Sequence, residues 1–416
     1  VGLRLGALAA RSSQTIVLAR FLSVEDVGRY GLIVVTVGYL IYPLGFDFYT
    51  YSTRELLRGE RERWPTFLRS HAAFAAVLYA LALALIVVPL ITGQLAWSGV
   101  AWLLLLVPSE HLGMEIERVL IATGRQLQAS VTIFVRQGLM PLTAVPLVAL
   151  SPDLRTLSTV LSCWLGCNLV GAALGAGFVR RELRGAGRAR VDWPWIRRGM
   201  RIAAPLLAGT LCLRALATLD RHLLKVWAGL DVVAAYSVFM AIAAGMSSIV
   251  YAGVHQFAYP RLVRHAARRD PRGLRREARR MLAQTLVVVL ATCGAVAVLM
   301  PFALGFIGHA TYARQIWMLP WVLGATAIFN LSLVPHYVLY ALDGDRVILA
   351  SAALGLAVFV GLATALDRGL GVEGARAVCI ALASSYVLLA AAKSVAAARR
   401  SGRWRDSIRS HEGAAA

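Results

Sequence analysis

Charge is what this chain has least of. Only 16% of its 416 residues are charged, against about 25% in an ordinary soluble domain. Acids are the scarcer sign, 22 Asp plus Glu beside 43 Lys plus Arg. With 58% hydrophobic residues and a mean hydropathy of +0.66, a soluble globular fold is excluded. Cysteine is sparse as well: Cys163, Cys167, Cys212, Cys293 and Cys379 all lie in apolar runs. Cys163 and Cys167 stand four apart, but neither His nor acid accompanies them, so they read as small core residues rather than metal ligands, and no disulfide framework is indicated. The chain has no G-x-x-x-x-G-K-[ST], which argues against ATP hydrolysis, and no H-E-x-x-H or nucleophile elbow. The glycine string "GAALGAG" at 171–177 suits helix packing better than a dinucleotide loop. No metal or cofactor is implied.

Long apolar runs fill the place of the missing charge. "AAVLYALALALIVVPLIT" at 75–92 is one of several stretches matching a hydrocarbon core of about 30 Å. Twelve helices are predicted, over 1–22, 31–51, 70–92, 97–121, 129–150, 157–179, 200–222, 233–256, 282–306, 312–340, 346–366 and 373–396. The fold class is therefore all-α, a polytopic membrane protein of about twelve transmembrane helices in two six-helix lobes. The lobes are expected at 1–179 and 202–397, with a linker at 180–201 and a basic tail at 398–416. The connections leave no room for a soluble catalytic domain. Trp193 and Trp195, set among arginines, read as interfacial anchors that lay part of the linker flat on the surface.

The net charge of +21 could point to nucleic acid, but its distribution points elsewhere. With the N-terminus assigned inside, 31 Lys and Arg fall in 53–70, 118–128, 179–201, 260–282, 342–346 and 393–416, against 6 in the alternate connections. This positive-inside asymmetry implies an even number of spans, with both termini and the linker cytoplasmic. The cations then meet anionic lipid, and no nucleic-acid partner is expected.

Charges inside apolar spans cost about 2.5–3.5 kcal/mol each on insertion scales, so each needs a reason. In "LCLRALATLDRHLLK" (211–225), Arg214, Thr218, Arg221 and Lys225 fall on one helical face. Arg4 and Arg11 stand seven apart, Arg136 lies mid-span, and Asp47 interrupts the second span. The fourth span carries two stripes, Glu110 with Glu117, and His111 with Glu115 and Arg118. Mid-span Arg11, Arg136 and Arg214 are read as lining an aqueous cavity in preference to pairing with Asp47 or Glu110. Arg20, Arg54, Arg118 and Arg221 lie near predicted ends and can snorkel. Ser23, Glu25 and Asp26 form an N-cap with acids in the first turn, while His111, His255 and His336 suit core positions. Asp47, Glu110, Glu115, Glu117 and Asp220 are the candidates for ion coupling.

The two halves open alike. "LARFLSVEDVGRYGLIVV" (18–35) and "LDRHLLKVWAGLDVVAAYSVFMAIA" (219–243) align on Tyr30 and Tyr236, with a five-residue insertion separating the upstream arginines. The first resembles the opening of the Wzx-type polysaccharide-export flippases of the multidrug/oligosaccharidyl-lipid/polysaccharide (MOP) superfamily. The second is similar to their D-R-x-x-L…G…Y-S signature through Asp220, Arg221, Leu224, Gly229, Tyr236 and Ser237, although Met240 replaces the usual small residue. "YPRLVRH" (259–265), "FIGHATYARQIWMLPWVLG" (306–324) and "GVEGARAV" (371–378) also look familial, so the resemblance spans nearly the whole chain.

The resemblance implies two lobes that alternate access, moving a polyprenyl-diphosphate-linked oligosaccharide from the cytoplasmic to the outer leaflet of the cell inner membrane. Such a substrate needs cations, for which Arg4, Arg11, Arg136, Arg214 and Arg221 are the candidates. Membrane lipids and polysaccharide polymerase machinery are the partners it suggests, with assembly of O-antigen or other surface polysaccharide as the setting. Two rivals remain. A small-molecule exporter of the same superfamily would be expected to have a more acidic cavity. A membrane glycosyl polymerase or ligase would be expected to have a sizeable outward loop, and the predicted outward connections are about ten residues or shorter.

Overall fold

The computed structural model describes residues 14–58, 60–91, 97–180 and 189–414. Among these residues the chain is helix and turn, with no strand. The elements are α1 (Val24–Gly45), α2 (Tyr49–Arg58), α3 (Trp64–Ile91), α4 (Trp97–Ala122), α5 (Gln126–Leu150) and α6 (Leu157–Val179), then α7 (Trp193–Ala228), α8 (Leu230–Ala267), α9 (Pro271–Ile307), α10 (Met318–Ala341), α11 (Asp345–Gly369) and α12 (Gly374–Ala414). A helical segment at 14–21 precedes them.

Ten helices among the described residues are long and apolar enough to cross a membrane. α4 is equally long at 26 residues, but Glu110, Glu115, Glu117 and Arg118 dilute its hydropathy. The span predicted at 1–22 is described only from Gln14 onward.

Local chemistry explains the boundaries. The Ser23 hydroxyl accepts the Asp26 N–H at 3.1 Å, and Glu25 and Asp26 occupy the first turn of α1, as its sequence predicts. Asp270 caps α9 in the same way, accepting from the Gly273 N–H at 2.8 Å ahead of Pro271. α9 closes on Gly308 with φ of 77°, a left-handed C-cap that glycine adopts without strain.

Several helices outrun the apolar stretches that predict them. α9 has 37 residues, about 55 Å at 1.5 Å per residue, and its first turns hold Arg272, Arg275, Arg276, Arg279 and Arg280. Three π-turns interrupt helices, at Phe134–Gly138 in α5, Tyr251–His255 in α8 and Ala365–Gly369 in α11. Pro141 and Pro260 follow the first two, and proline withholds a donor from the carbonyl one turn back.

The chain divides into two compact units, Val1–Arg214 and Ala215–Ala416, and the division falls within α7. In the first unit, Phe48, Tyr51, Phe67 and Phe74 pack around Trp195, whose indole stacks on Phe67 at 5.2 Å. Trp195 is thus a core residue and not the surface anchor expected of it. The linker's end folds as the start of α7, because an aromatic cluster is there to cover it, while Trp193 stays exposed. In the second unit, Val254, Leu262, Met281, Val338, Leu339 and Ala397 form a core joining α8, α9, α10 and α12. Lys393, counted with the cytoplasmic charges of 393–416, lies within α12 at 1% exposure.

Candidate functional site

In the first unit the site is built around a break between α1 and α2. Phe46 and Asp47 both take left-handed backbone, φ 52° and 51°. Aspartate tolerates this conformation, but a bulky Phe there is strained, and such strain persists only where surrounding packing enforces it. Phe46 is held edge-on against Phe74 at 5.9 Å. The break presents Asp47 to α7, where the Thr210 hydroxyl donates to its Oδ2 at 2.7 Å while Oδ1 is buried without a partner among the described residues. Arg118 and Arg214 both bear on this carboxylate electrostatically.

The two side chains differ in setting. The Arg118 guanidinium lies 3.4 Å from the Tyr49 ring centroid and pairs with Glu115. Arg214 is exposed, its guanidinium 4.9 Å from the Tyr42 ring centroid. No carboxylate pairs with Arg214 among the described residues.

α4 carries two polar faces, the two stripes of its sequence, and each meets different neighbours. On one, the Tyr79 hydroxyl meets His111 Nδ1 at 2.6 Å, and His111 Nε2 and His71 Nε2 each lie 3.5 Å from Glu115. The His111 ring presses on α1 at Gly45, where a Cβ would collide with it. On the other face, Arg136 donates to Glu117 Oε1 at 2.5 Å and to the Glu110 carbonyl at 3.0 Å, and it pairs with Glu110 Oε1 at 2.9 Å. Glu110 Oε2 accepts from Trp164 Nε1 at 3.1 Å and from Asn168 Nδ2 at 2.9 Å. Arg136 sits on the π-turn of α5 at 1% exposure. It threads between Gly113 and Gly171, where any side chain would strike it.

The expectation that Arg136 lines an aqueous cavity is corrected by this geometry. Two carboxylates and a carbonyl enclose it, because a buried guanidinium is stable only when its donors are satisfied. Glu110 and Glu117 are its counter-ions and do not share one cluster with Glu115.

In the second unit, Asp220 is fully buried and accepts the Tyr236 hydroxyl at 2.8 Å. Arg221 lies against it at 3.9 Å and donates to the Ala217 carbonyl at 3.2 Å. Arg221 was expected to snorkel from a helix end. It is buried instead, because α7 continues to Ala228. Of the stripe that opens α7's charged face, Arg214 and Lys225 are exposed while Thr218 and Arg221 are buried. Arg4 and Arg11 lie outside the described residues.

Sequence reasoning missed Asn168, Thr210 and Lys393. Asn168 and Thr210 are uncharged and hide in apolar runs, and Lys393 stood at a boundary drawn by hydropathy. Buried Lys393 has no ion pair among the described residues.

No curated protein matches the chain in sequence. Among solved structures it is similar to an inward-facing multidrug resistance MATE family transporter of the MOP superfamily, with a TM-score of 0.75 at 11% identity, covering 96% of both chains. It is also similar to the lipid II flippase MurJ in an inward closed conformation, with a TM-score of 0.73 at 10% identity, covering 97% of this chain and 89% of that one. A Vibrio cholerae MATE transporter aligns with a TM-score of 0.62 at 16% identity, over 98% of this chain and 94% of its own. These likenesses establish the fold, an all-helical one shared with those membrane proteins. Residues 13–265 match the family described as polysaccharide biosynthesis protein, and since that is well over half of the sequence, the chain belongs to the polysaccharide biosynthesis protein family.

Proposed function

We propose that this protein is a flippase that carries a polyprenyl-diphosphate-linked oligosaccharide from the cytoplasmic to the outer leaflet of the cell inner membrane by alternating access, for surface polysaccharide assembly. The observation that carries the reading is Arg214, an exposed guanidinium with no carboxylate paired to it among the described residues, held over Tyr42 in the apolar middle stretch of α7. Asp47 acts on it only through space, and a cation in a span that no carboxylate binds directly is costly unless water or an anionic ligand accompanies it. A diphosphate fits that role, since its oxygens accept the planar fork of a guanidinium in parallel bonds. Membership of a polysaccharide biosynthesis family supports a glycan cargo, and the fold shared with a lipid II flippase supports a lipid-linked one.

In this reading Arg214 contacts the diphosphate, while Arg136 positions α4 through its carboxylates without touching substrate. Arg4, Arg11 and Arg221 are further candidate contacts, and Asp47 is the candidate coupling carboxylate. The lobes are 1–179 and 202–397 with both termini cytoplasmic, and polymerase machinery receives the product. The protein makes and breaks no bond in the cargo.

The test is translocation of lipid-linked oligosaccharide in proteoliposomes, with inserted protein quantified alongside. Arg214→Ala is expected to abolish translocation at normal abundance, and Arg214→Lys to restore part of it. A stable Arg214→Ala protein with full translocation removes this residue from the site. Uptake of small organic cations without glycan movement would replace the flippase reading with an exporter.

A further inference from the structure

A groove of about 640 Å³ in the second unit, between α9, α10 and α12, lies apart from every residue assigned above. Its floor is apolar, formed by Val334 and Val338 of α10 and Ala390 and Ala397 of α12. Its rim carries Arg275 and Arg279 of α9 and Arg405 of α12, and no carboxylate among the described residues lines it. Arg275 and Arg279 have no ion-pair or hydrogen-bond partner among the described residues. Among the described residues Arg405 makes only an exposed contact with Asp406, at 3.7 Å.

We infer that this groove holds one anionic phospholipid of the surrounding bilayer, its chain on the alanine and valine floor and its phosphate between Arg275 and Arg279. Position supports this. Along α9 the sequence changes from charged to apolar at Met281, and the groove runs across that change, from Arg275 and Arg279 to Leu282. A lipid presents headgroup and chain in the same order. α9 is also peripheral, little of its apolar stretch being buried inside the protein, so the groove is open to lipid laterally.

The remaining cations of α9 give the contrast that separates a site from general basicity. Arg272, Arg276 and Arg280 line a different pocket, together with Asp270 and Glu277. Glu277 accepts from Arg261 Nε at 2.6 Å, and Asp270 meets His265 Nδ1 at 3.0 Å. That pocket contains its own counter-charges. The groove has none, and a phosphate would supply one. The inference is independent of what the protein transports.

The experiment is native mass spectrometry of the full-length protein in mild detergent, titrated with phosphatidylglycerol or with phosphatidylcholine of the same chains. One phosphatidylglycerol is expected to bind per chain in preference to phosphatidylcholine. Arg275→Ala with Arg279→Ala is expected to weaken it on the order of tenfold or more. Ala398→Trp, which fills the groove from an exposed position and removes no charge, is expected to weaken it comparably. Arg272→Ala with Arg276→Ala removes the same charge from the same helix and is expected to leave binding unchanged. Equal losses from the two arginine pairs would reduce the effect to diffuse surface charge and overturn the site. So would equal retention of phosphatidylcholine. Displacement by inorganic phosphate with Ala398→Trp unaffected would leave a bare anion site in place of a lipid site, and preferential displacement by a polyprenyl diphosphate would make the groove part of the cargo path.

Discussion

The Tyr236 hydroxyl donates to Asp220 Oδ2 at 2.8 Å, across a separation of 16 residues. In the first unit the Tyr30 hydroxyl is met by Gln14 Nε2 at 3.4 Å, across the same separation of 16. The two tyrosines are those on which the halves align in sequence, but the five-residue insertion sets Asp220 opposite Ala19 and not Gln14, so the two contacts do not occupy one position of the repeat. Their chemistry differs as well: a neutral amide meets Tyr30, and a buried carboxylate serves Tyr236. Tyr236→Phe should cost about 1–3 kcal/mol by leaving that carboxylate oxygen without its donor, and Tyr30→Phe should cost less. Thermal unfolding of the purified protein measures both, and equal effects would contradict the asymmetry.

The enclosed Arg136 should behave as structure. Arg136→Met leaves Glu110 and Glu117 buried without their cation, a change worth about 3–5 kcal/mol. Combining it with Glu110→Gln and Glu117→Gln should recover much of the loss, since the residual charges go together. If Arg136→Met folds normally yet abolishes translocation, Arg136 belongs with the substrate contacts.

Lys393 presents the opposite balance. With no ion pair to lose among the described residues, Lys393→Met should be neutral or stabilising, by up to about 4 kcal/mol. A marked fall in unfolding temperature would mean that the ammonium has a partner in another conformation of the protein.

Asp270 lies outside the spans and gives a pH dependence. The Gly273 N–H, and then His265, hold its carboxyl below the ordinary carboxylate value. Depressed in the folded state, it contributes stability above the unfolded value of about 3.9, and this is lost as pH falls through the folded value. Intrinsic-rate-corrected exchange of the Gly273 amide should therefore be flat near neutrality and rise as the medium is acidified below about pH 4. Asp270→Asn, which still caps the helix, should remove that dependence.

Orientation is open to direct labelling. In a background without the native cysteines, Arg190→Cys and Arg403→Cys should resist an impermeant thiol reagent in intact cells, and His309→Cys should react. The reverse pattern would invert the topology inferred from the loop charges.

The sequence alone determined which stretches are long and apolar enough to cross a membrane, because hydropathy over some 20 residues is a local quantity. It determined the Ser23 cap and the two polar stripes of α4, because capping and helical phase depend on near neighbours. Only the tertiary structure decided what each mid-span charge does. Arg136 and Arg214 are the same residue type in similarly apolar runs, yet one is enclosed by Glu110 and Glu117 and the other is exposed over Tyr42. That difference rests on partners distant in the chain and on glycines that admit the Arg136 side chain. Asn168, Thr210 and Lys393 escaped the sequence reading because a single polar group barely alters the hydropathy of its span. Their roles follow from which helix packs against them, and helix packing is a property of the folded chain.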